Sequence, residues 1–562
     1  MRQLKVKLGQ RKAILAKGML AFAILSSIGV LVIFISSEAG SGAGKVSSSA
    51  DAGASDGQAV KFGQASTPSW PTEPPARICG NQSVLGGGPT EPPEGAIVIP
   101  AGNNSSMNFI FREENKTFWF ESGVHTLGDN QFSQIIPGSG STYVGAPSAV
   151  IDGQKLNRYA FTGQAKNVTL RYLTIRNFVP PLSEGAVNHN DGAGWVVEYS
   201  TITENEGAGL MVGGPNNIYR YNCIKDNGQY GINACCGTKE QPVENIVLDR
   251  NEITGNNTGD WESLNDGCGC TGGVKFWINK DVTVTNNWVH DNRGTGLWLD
   301  NNNSGFIIEG NYIENNDAHA IFLEAGYDAR IRYNNFKRNT LVKGRAFESE
   351  GSPFPTTAIY ISENGSPEGY GKMVPTVISY NNFEDNWGGV SMWENANRYC
   401  SSTSHTHPPY CTIKVDLYDD AQCESATENV IPDSIGDKYR CRWSTENNLV
   451  EHNVFKIDKA GIGEGCEGAD YCGLNGLFTN YGSFPEFYGY EIPWRVTFEQ
   501  GNIFRNNRYI GDWNFAGFQP SKPGGGRVTW EKWTASAPKV PDTFTHNNLP
   551  ETFGQDQGST YN

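Results

Sequence analysis

A six-residue unit recurs along this chain and leaves few folds open to it: Asn, any residue, a large apolar residue, two further residues, Asn. It runs from Asn222 to Asn227 around Ile224, from Asn251 to Asn256 around Ile253, and from Asn287 to Asn292 around Val289. It returns at Asn311 to Asn316 around Ile313, Asn334 to Asn339 around Phe336, Asn381 to Asn386 around Phe383, and Asn502 to Asn507 around Phe504. A relaxed copy sits at Asn453 and Phe455. Asn287, Asn311 and Asn334 lie 24 and 23 residues apart, and the wider intervals leave room for inserted loops. A fixed period of this length marks a repeat architecture. Helical solenoids need sustained 3.6-residue periodicity, which is missing. Short apolar runs broken by Gly and Asn fit a β-solenoid with three short strands per coil.

The Asn positions have a physical reason. Asn tolerates the left-handed backbone of tight corners. Stacked on successive coils, its amide can also bond the next Asn along the axis. A second pattern follows each unit: Gly or Ala, then apolar residues at alternate positions. Gly273 to Trp277, Gly296 to Asp300, Ala320 to Glu324, Ala358 to Ser362 and Gly389 to Trp393 are examples. Alternate side chains of a strand face opposite ways. Leu297, Leu299, Ile321, Leu323, Ile359, Ile361, Val390 and Met392 are therefore expected inside.

With this periodicity over roughly residues 145 to 510, the chain resembles the right-handed parallel β-helix superfamily, the pectate-lyase-like fold. The resemblance implies an all-β solenoid. It identifies a fold and leaves function open, because the superfamily holds polysaccharide lyases, glycoside hydrolases, uronate epimerases, phage tailspikes and surface proteins. The paired-aspartate motifs of polygalacturonases and the Asp-Pro-His motif of mannuronan epimerases are absent from the sequence. The implied organisation places a cap and first strands at 76–144, the β-helix at 145–510 and a C-terminal cap or tail at 511–562. Trp513, Phe515, Trp530 and Trp533 would close the last coil.

The alternation turns a second set outward. Asn233, Lys275, Trp277, Trp298, Asp300, Phe322, Glu324, Tyr360, Ser362, Ser391 and Trp393 are expected in a stripe along one sheet. Sugar rings have apolar faces that lie on aromatic rings, while their hydroxyls seek carboxylates and amides. Asn233, Trp277, Trp298, Phe322, Tyr360 and Trp393 are the candidate sugar-binding residues. The competing reading covers these rings with the inserts near 340–356, 364–375 and 400–445.

Asp300 and Glu324 fall at the same outward place on adjacent coils, with Glu363 and Glu394 one place further on. Carboxyls one coil apart approach the spacing of a retaining glycosidase pair. The same acids also suit bonds to loop backbone, or a shared Ca²⁺, which prefers oxygen ligands. Calcium is the only cofactor these residues suggest. Lys275 on the stripe offers a lyase base or an ion pair with an acid. His189, His290 and His319 are read as acid–base candidates or corner residues, and His290 as a corner residue.

Six basic residues precede the first acid, Glu38, and setting them aside takes the formal charge from −16 to −22. So acidic a body excludes binding nucleic acid through its phosphates. The uncharged apolar run from Gly18 to Ser36 is long enough to span a bilayer, with its basic flank kept inside. Either an uncleaved anchor or a signal peptide fits it, and both place the body outside the cytoplasm. Residues 37–75, rich in Ser, Gly, Ala and Pro, read as a linker. Twelve cysteines agree with an oxidising compartment. Cys235 and Cys236 are expected to meet Cys268 and Cys270 across coils. Cys400, Cys411, Cys423, Cys441, Cys466 and Cys472 are expected to staple C-terminal loops.

Overall fold

Each coil of the chain is three short strands joined by two tight corners. The computed structural model describes residues 69–562 except 238–240, 262–271, 351–355, 366–373, 395–444, 464, 470, 480–493, 518–526 and 542–549. The apolar run 18–36, Cys268, Cys270, Cys400, Cys411, Cys423 and Cys441 lie outside the described residues. No helix among the described residues is long and apolar enough to cross a membrane.

The coil at residues 283–299 shows the plan. Thr283–Thr285 belongs to sheet A, Asn286 turns the chain with φ 55°, and Asn287 begins the step into Trp288–His290 of sheet B. Asp291 turns it again with φ 51°, and Thr295–Leu299 joins sheet C. Stacking such coils gives parallel sheets of 13, 14 and 12 strands. Sheet strands start at Ile97–Ile99 and end at Thr560–Tyr561. The last strand of sheet C, Arg527–Val528, pairs antiparallel with Asn514–Gly517.

The left-handed residue is the one before each repeat Asn, not the Asn itself. Tyr221, Arg250, Asn286, Gly310, Tyr333, Tyr380 and His452 hold that corner, all with φ between 52° and 68°. The tolerance of Asn for this conformation therefore does not explain the repeat. The second reason does. Asn222, Asn251, Asn287, Asn311, Asn334, Asn381, Asn453 and Asn507 pass Nδ2–H···Oδ1 bonds of 2.9 to 3.2 Å from coil to coil. A second ladder runs from Asn205 through Asn227, Asn256, Asn292, Asn316 and Asn339 to Asn386. These amides take up backbone groups that a corner would otherwise leave unpaired. The copy at Asn502 is out of phase: Phe504 lies in sheet A, and Asn507 belongs to the first ladder.

Tyrosine at a left-handed corner is strained. Stacking offsets the strain: Tyr172, Tyr199 and Tyr221 lie 5.2 and 5.1 Å apart with nearly parallel planes. Inside the coils, Ile224, Ile253, Val289, Ile313, Phe336, Phe383, Phe455 and Tyr509 form one buried row. The eight residues expected inside sheet C are all buried. Gly296 is required there, since a Cβ on it would come 2.7 Å from the carbonyl oxygen of Ala320.

Before its first strand the chain runs back along sheet B and then over sheet A as a strap. Asn335 Nδ2 donates to Pro71 O (2.9 Å), Ile78 and Cys79 donate N–H to Glu252 Oε2 (2.6 and 2.8 Å), and Trp119 Nε1 donates to Pro89 O (3.0 Å). Cys79 is disulfide-bonded to Cys223. Cys235 is bonded to Cys236, not across coils, because Cys236 turns the chain with φ 79° and brings the neighbouring thiols together. Cys466 pairs locally with Cys472. At the far end Trp513, Phe515 and Trp533 are buried in the main core, and Trp530 packs on it.

Candidate functional site

Strand alternation and register together build one wall on the outer face of sheet C. Asn233 pairs with Lys275, Lys275 with Trp298, Trp298 with Phe322, Phe322 with Tyr360, and Tyr360 with Ser391. Two residues along, Glu324 pairs with Ser362 and Ser362 with Trp393, while Trp277 and Asp300 each directly follow the last paired residue of their strands, Phe276 and Leu299. The expected stripe is therefore in register, but its members differ in what they present.

The rings stack on one another along the axis. Trp298 and Phe322 lie 5.3 Å apart at 17°, Phe322 and Tyr360 4.8 Å apart, and Tyr360 and Trp393 5.9 Å apart. The ammonium of Lys275 sits 4.0 Å over the other face of Trp298. Faces that a sugar would need are thus taken, and the stack shows mainly ring edges. Tyr360 is buried, and Trp393 packs against the cluster of Tyr471, Leu474 and Ala516. Asn233 is also buried, its Nδ2 donating to Ser183 O at 2.7 Å. Trp277 is the exception. It is 41% exposed, and its ring meets no other ring among the described residues.

The acids divide in the same way. Asp300 bonds Lys275 Nζ at 2.8 Å, and these side chains are 13% and 16% exposed. Glu324 Oε2 accepts from Trp298 Nε1 at 3.0 Å. Glu363 and Glu394 do not join them. Glu363 has left-handed φ 46°, is buried, and accepts from the Ser362 hydroxyl. Glu394 is buried, accepting from Thr445 N–H (3.1 Å) and Gln500 Nε2 (3.3 Å). Buried carboxylates bonded this way tie down chain that returns from far away in sequence. Among the described residues no three His, Cys, Asp or Glu gather as for a metal ion.

The histidines part as well. His189 is sealed in the core, stacked on Trp195 with Nε2 2.5 Å from the Tyr219 hydroxyl, and burial drives its pKa down to about 3. His290 is more than a corner residue. It stacks on Trp288 at 4.0 Å and lies between two carboxylates, with Nδ1 2.6 Å from Asp291 and Nε2 3.3 Å from Glu252. This group borders a cleft shared with Arg77, Lys225 and Thr254. Glu252 also holds the strap, a contact between residues more than 170 positions apart that no local pattern signals.

Burial pushes Glu252 up, yet the bonds from His290 and the Cys79 and Ile78 N–H groups hold it below its ordinary 4.5. Burial pushes His290 down, yet Asp291 and Glu252 hold it above its ordinary 6.5. The stabilisation from Glu252 is present above pH 4.5 and fades as pH falls through its lower folded value. That from His290 is full below pH 6.5 and fades as pH rises through its higher folded value. Amide exchange at Ile78 and Cys79, corrected for intrinsic rates, is expected to be slowest between those limits. A profile flat from pH 4 to 8 would count against the latch.

The family model described as the right handed beta helix region matches residues 118–271 and 241–368. No curated protein matches the chain. Among solved structures, the catalytic unit of a thermostable GH87 alpha-1,3-glucanase from Streptomyces thermodiastaticus is similar at 13% identity and TM-score 0.47, over 84% of this chain and 70% of that one. A GH87 alpha-1,3-glucanase catalytic domain in complex with tetrasaccharides is similar at 12% identity and TM-score 0.45, over 75% and 65%. The A-module of the Azotobacter vinelandii mannuronan C-5 epimerase AlgE4 is similar at 13% identity and TM-score 0.38, over 54% and 85%. At such identities the likeness is one of chain path, and the chemistry of a site does not travel with it. Two corners per coil, three parallel sheets and the matched repeat region identify this chain as a member of the right-handed parallel β-helix superfamily.

Proposed function

We propose that the sheet-C wall is a glycan site and that the protein cleaves a polysaccharide there by hydrolysis. The observation that carries this reading is the join of an exposed indole, Trp277, to adjacent-coil carboxylates, Asp300 and Glu324. A pyranose stacked on Trp277 would have its hydroxyls beside Asp300 and Lys275. Lys275 is bonded to Asp300 and stacked over Trp298, so it is not poised as a lyase base. The acidic chain suits a neutral glycan. The disulfide Cys79–Cys223 and the apolar run 18–36 fit a body held outside the cytoplasm, anchored or secreted.

A second reading is a surface protein that binds glycans without cleaving them. It is favoured by the fact that both acids already take hydrogen bonds or ion pairs from neighbouring side chains. A polysaccharide panel, run with and without calcium, separates the readings. Hydrolysis gives new reducing ends, a lyase gives the absorbance of unsaturated sugars, and a binder gives neither. In each case Trp277→Ala is expected to weaken glycan binding about tenfold or more. Unchanged affinity in titration calorimetry would remove the site.

A further inference from the structure

His319 stands on the same wall and takes no part in the site described above. It leads into the strand Ile321–Glu324, with its ring 5.0 Å from Tyr360 and 5.7 Å from Phe322. Its Nδ1 lies 2.7 Å from the carbonyl oxygen of Thr357. A carbonyl can only accept, so Nδ1 carries the proton, and Nε2 of the neutral ring is left as an acceptor. Among the described residues Nε2 makes no hydrogen bond. The residue is only 8% exposed, and Nε2 is not sealed from that exposure. Burial lowers the pKa of the ring to about 4, against the Thr357 carbonyl and with the help of Lys343 from the helix Leu341–Ser349. The Phe322 and Tyr360 rings pack against it.

The plain alternative is a rung in the aromatic stack. Phenylalanine would fill that role without leaving a bare acceptor at the surface. We propose instead that His319 is a specificity-determining residue, whose Nε2 accepts a hydrogen bond from a hydroxyl of a neutral oligosaccharide lying across the wall from Trp277. This rests on the glycan reading of the site. Five residues separate His319 from Glu324, about 16 Å along a strand. The bound chain therefore runs along the strand direction, from Trp277 at one edge of the wall to His319 at the other.

The test uses glucose and mannose trisaccharides with the full chain. His319→Phe keeps the stack and loses the Nε2 acceptor together with the Nδ1 bond to Thr357 O, and it is expected to weaken binding about tenfold. His319→Gln, which can accept from nearly the same place, should stay within about threefold. Wild-type affinity should fall as pH drops from about 6 to about 4, because an imidazolium cannot accept, and the phenylalanine variant should lack this step. Should Trp277→Ala lose binding while His319→Phe matches wild type at every pH, this proposal is overturned and the glycan site stands. Should no trisaccharide bind the wild type, or Trp277→Ala change nothing, the glycan reading fails and takes this inference with it.

Discussion

Asn311→Ala is expected to destabilise the solenoid by about 3 kcal/mol or more, although it removes only one small side chain. Asn311 Oδ1 accepts from Asn287 N (2.9 Å) and Asn287 Nδ2 (3.0 Å). Its Nδ2 donates to Val284 O (2.8 Å) and Asn334 Oδ1 (2.9 Å). The residue is fully buried, so water cannot take the place of these partners. Each orphaned buried group costs about 1–3 kcal/mol, and the ladder makes neighbouring amides depend on each other. Asn286, one position before Asn287 on the neighbouring coil, is the internal control. It holds the left-handed corner with φ 55°, a conformation glycine adopts freely, so Asn286→Gly should change stability by under about 1 kcal/mol. Urea unfolding followed by circular dichroism compares the two. Equal effects would mean that the corner, not the amide ladder, is what the repeat secures.

That contrast also shows how much of the molecule is legible in its sequence. A period of 23 or 24 residues with apolar alternation gives the coil, because both follow from backbone geometry alone. Which residue of the Asn pair turns the corner does not follow, since Asn suits either role and only the neighbours at Tyr221, Arg250 and Tyr333 reveal that the turn lies one place earlier. The outward stripe of sheet C was likewise readable as a register. Its accessibility was not, because the rings cover one another along an axis that sequence spacing does not measure. Glu363 and Glu394 fall only one place beyond Glu324 in pattern. They differ because chain from Thr445 and Gln500 returns over them. The same holds for Glu252, whose partners at Ile78 and Cys79 belong to the strap.

On any glycan that the protein turns over, Asp300→Asn and Glu324→Gln should each lower kcat by about a thousandfold or more with the fold intact. Both changes keep shape and remove only the ability to ionise. The loss is expected from both acids, because a proton donor and a base or nucleophile must act on opposite sides of one glycosidic bond. Their strands are neighbours, about 4.8 Å apart. That distance is close to the roughly 5 Å of a retaining pair and short of the wider gap that admits water between inverting acids. The first-formed sugar should therefore keep its anomeric configuration, which proton NMR of early product reads directly. Inversion would place the second acid elsewhere and set Asp300 aside. Lys275→Met supplies the remaining discrimination. It breaks the ion pair to Asp300, so in a hydrolase it should lower kcat while leaving measurable turnover. If Lys275 were instead the proton-abstracting base of a lyase, its removal would abolish turnover outright, and the wild-type products would carry a double bond.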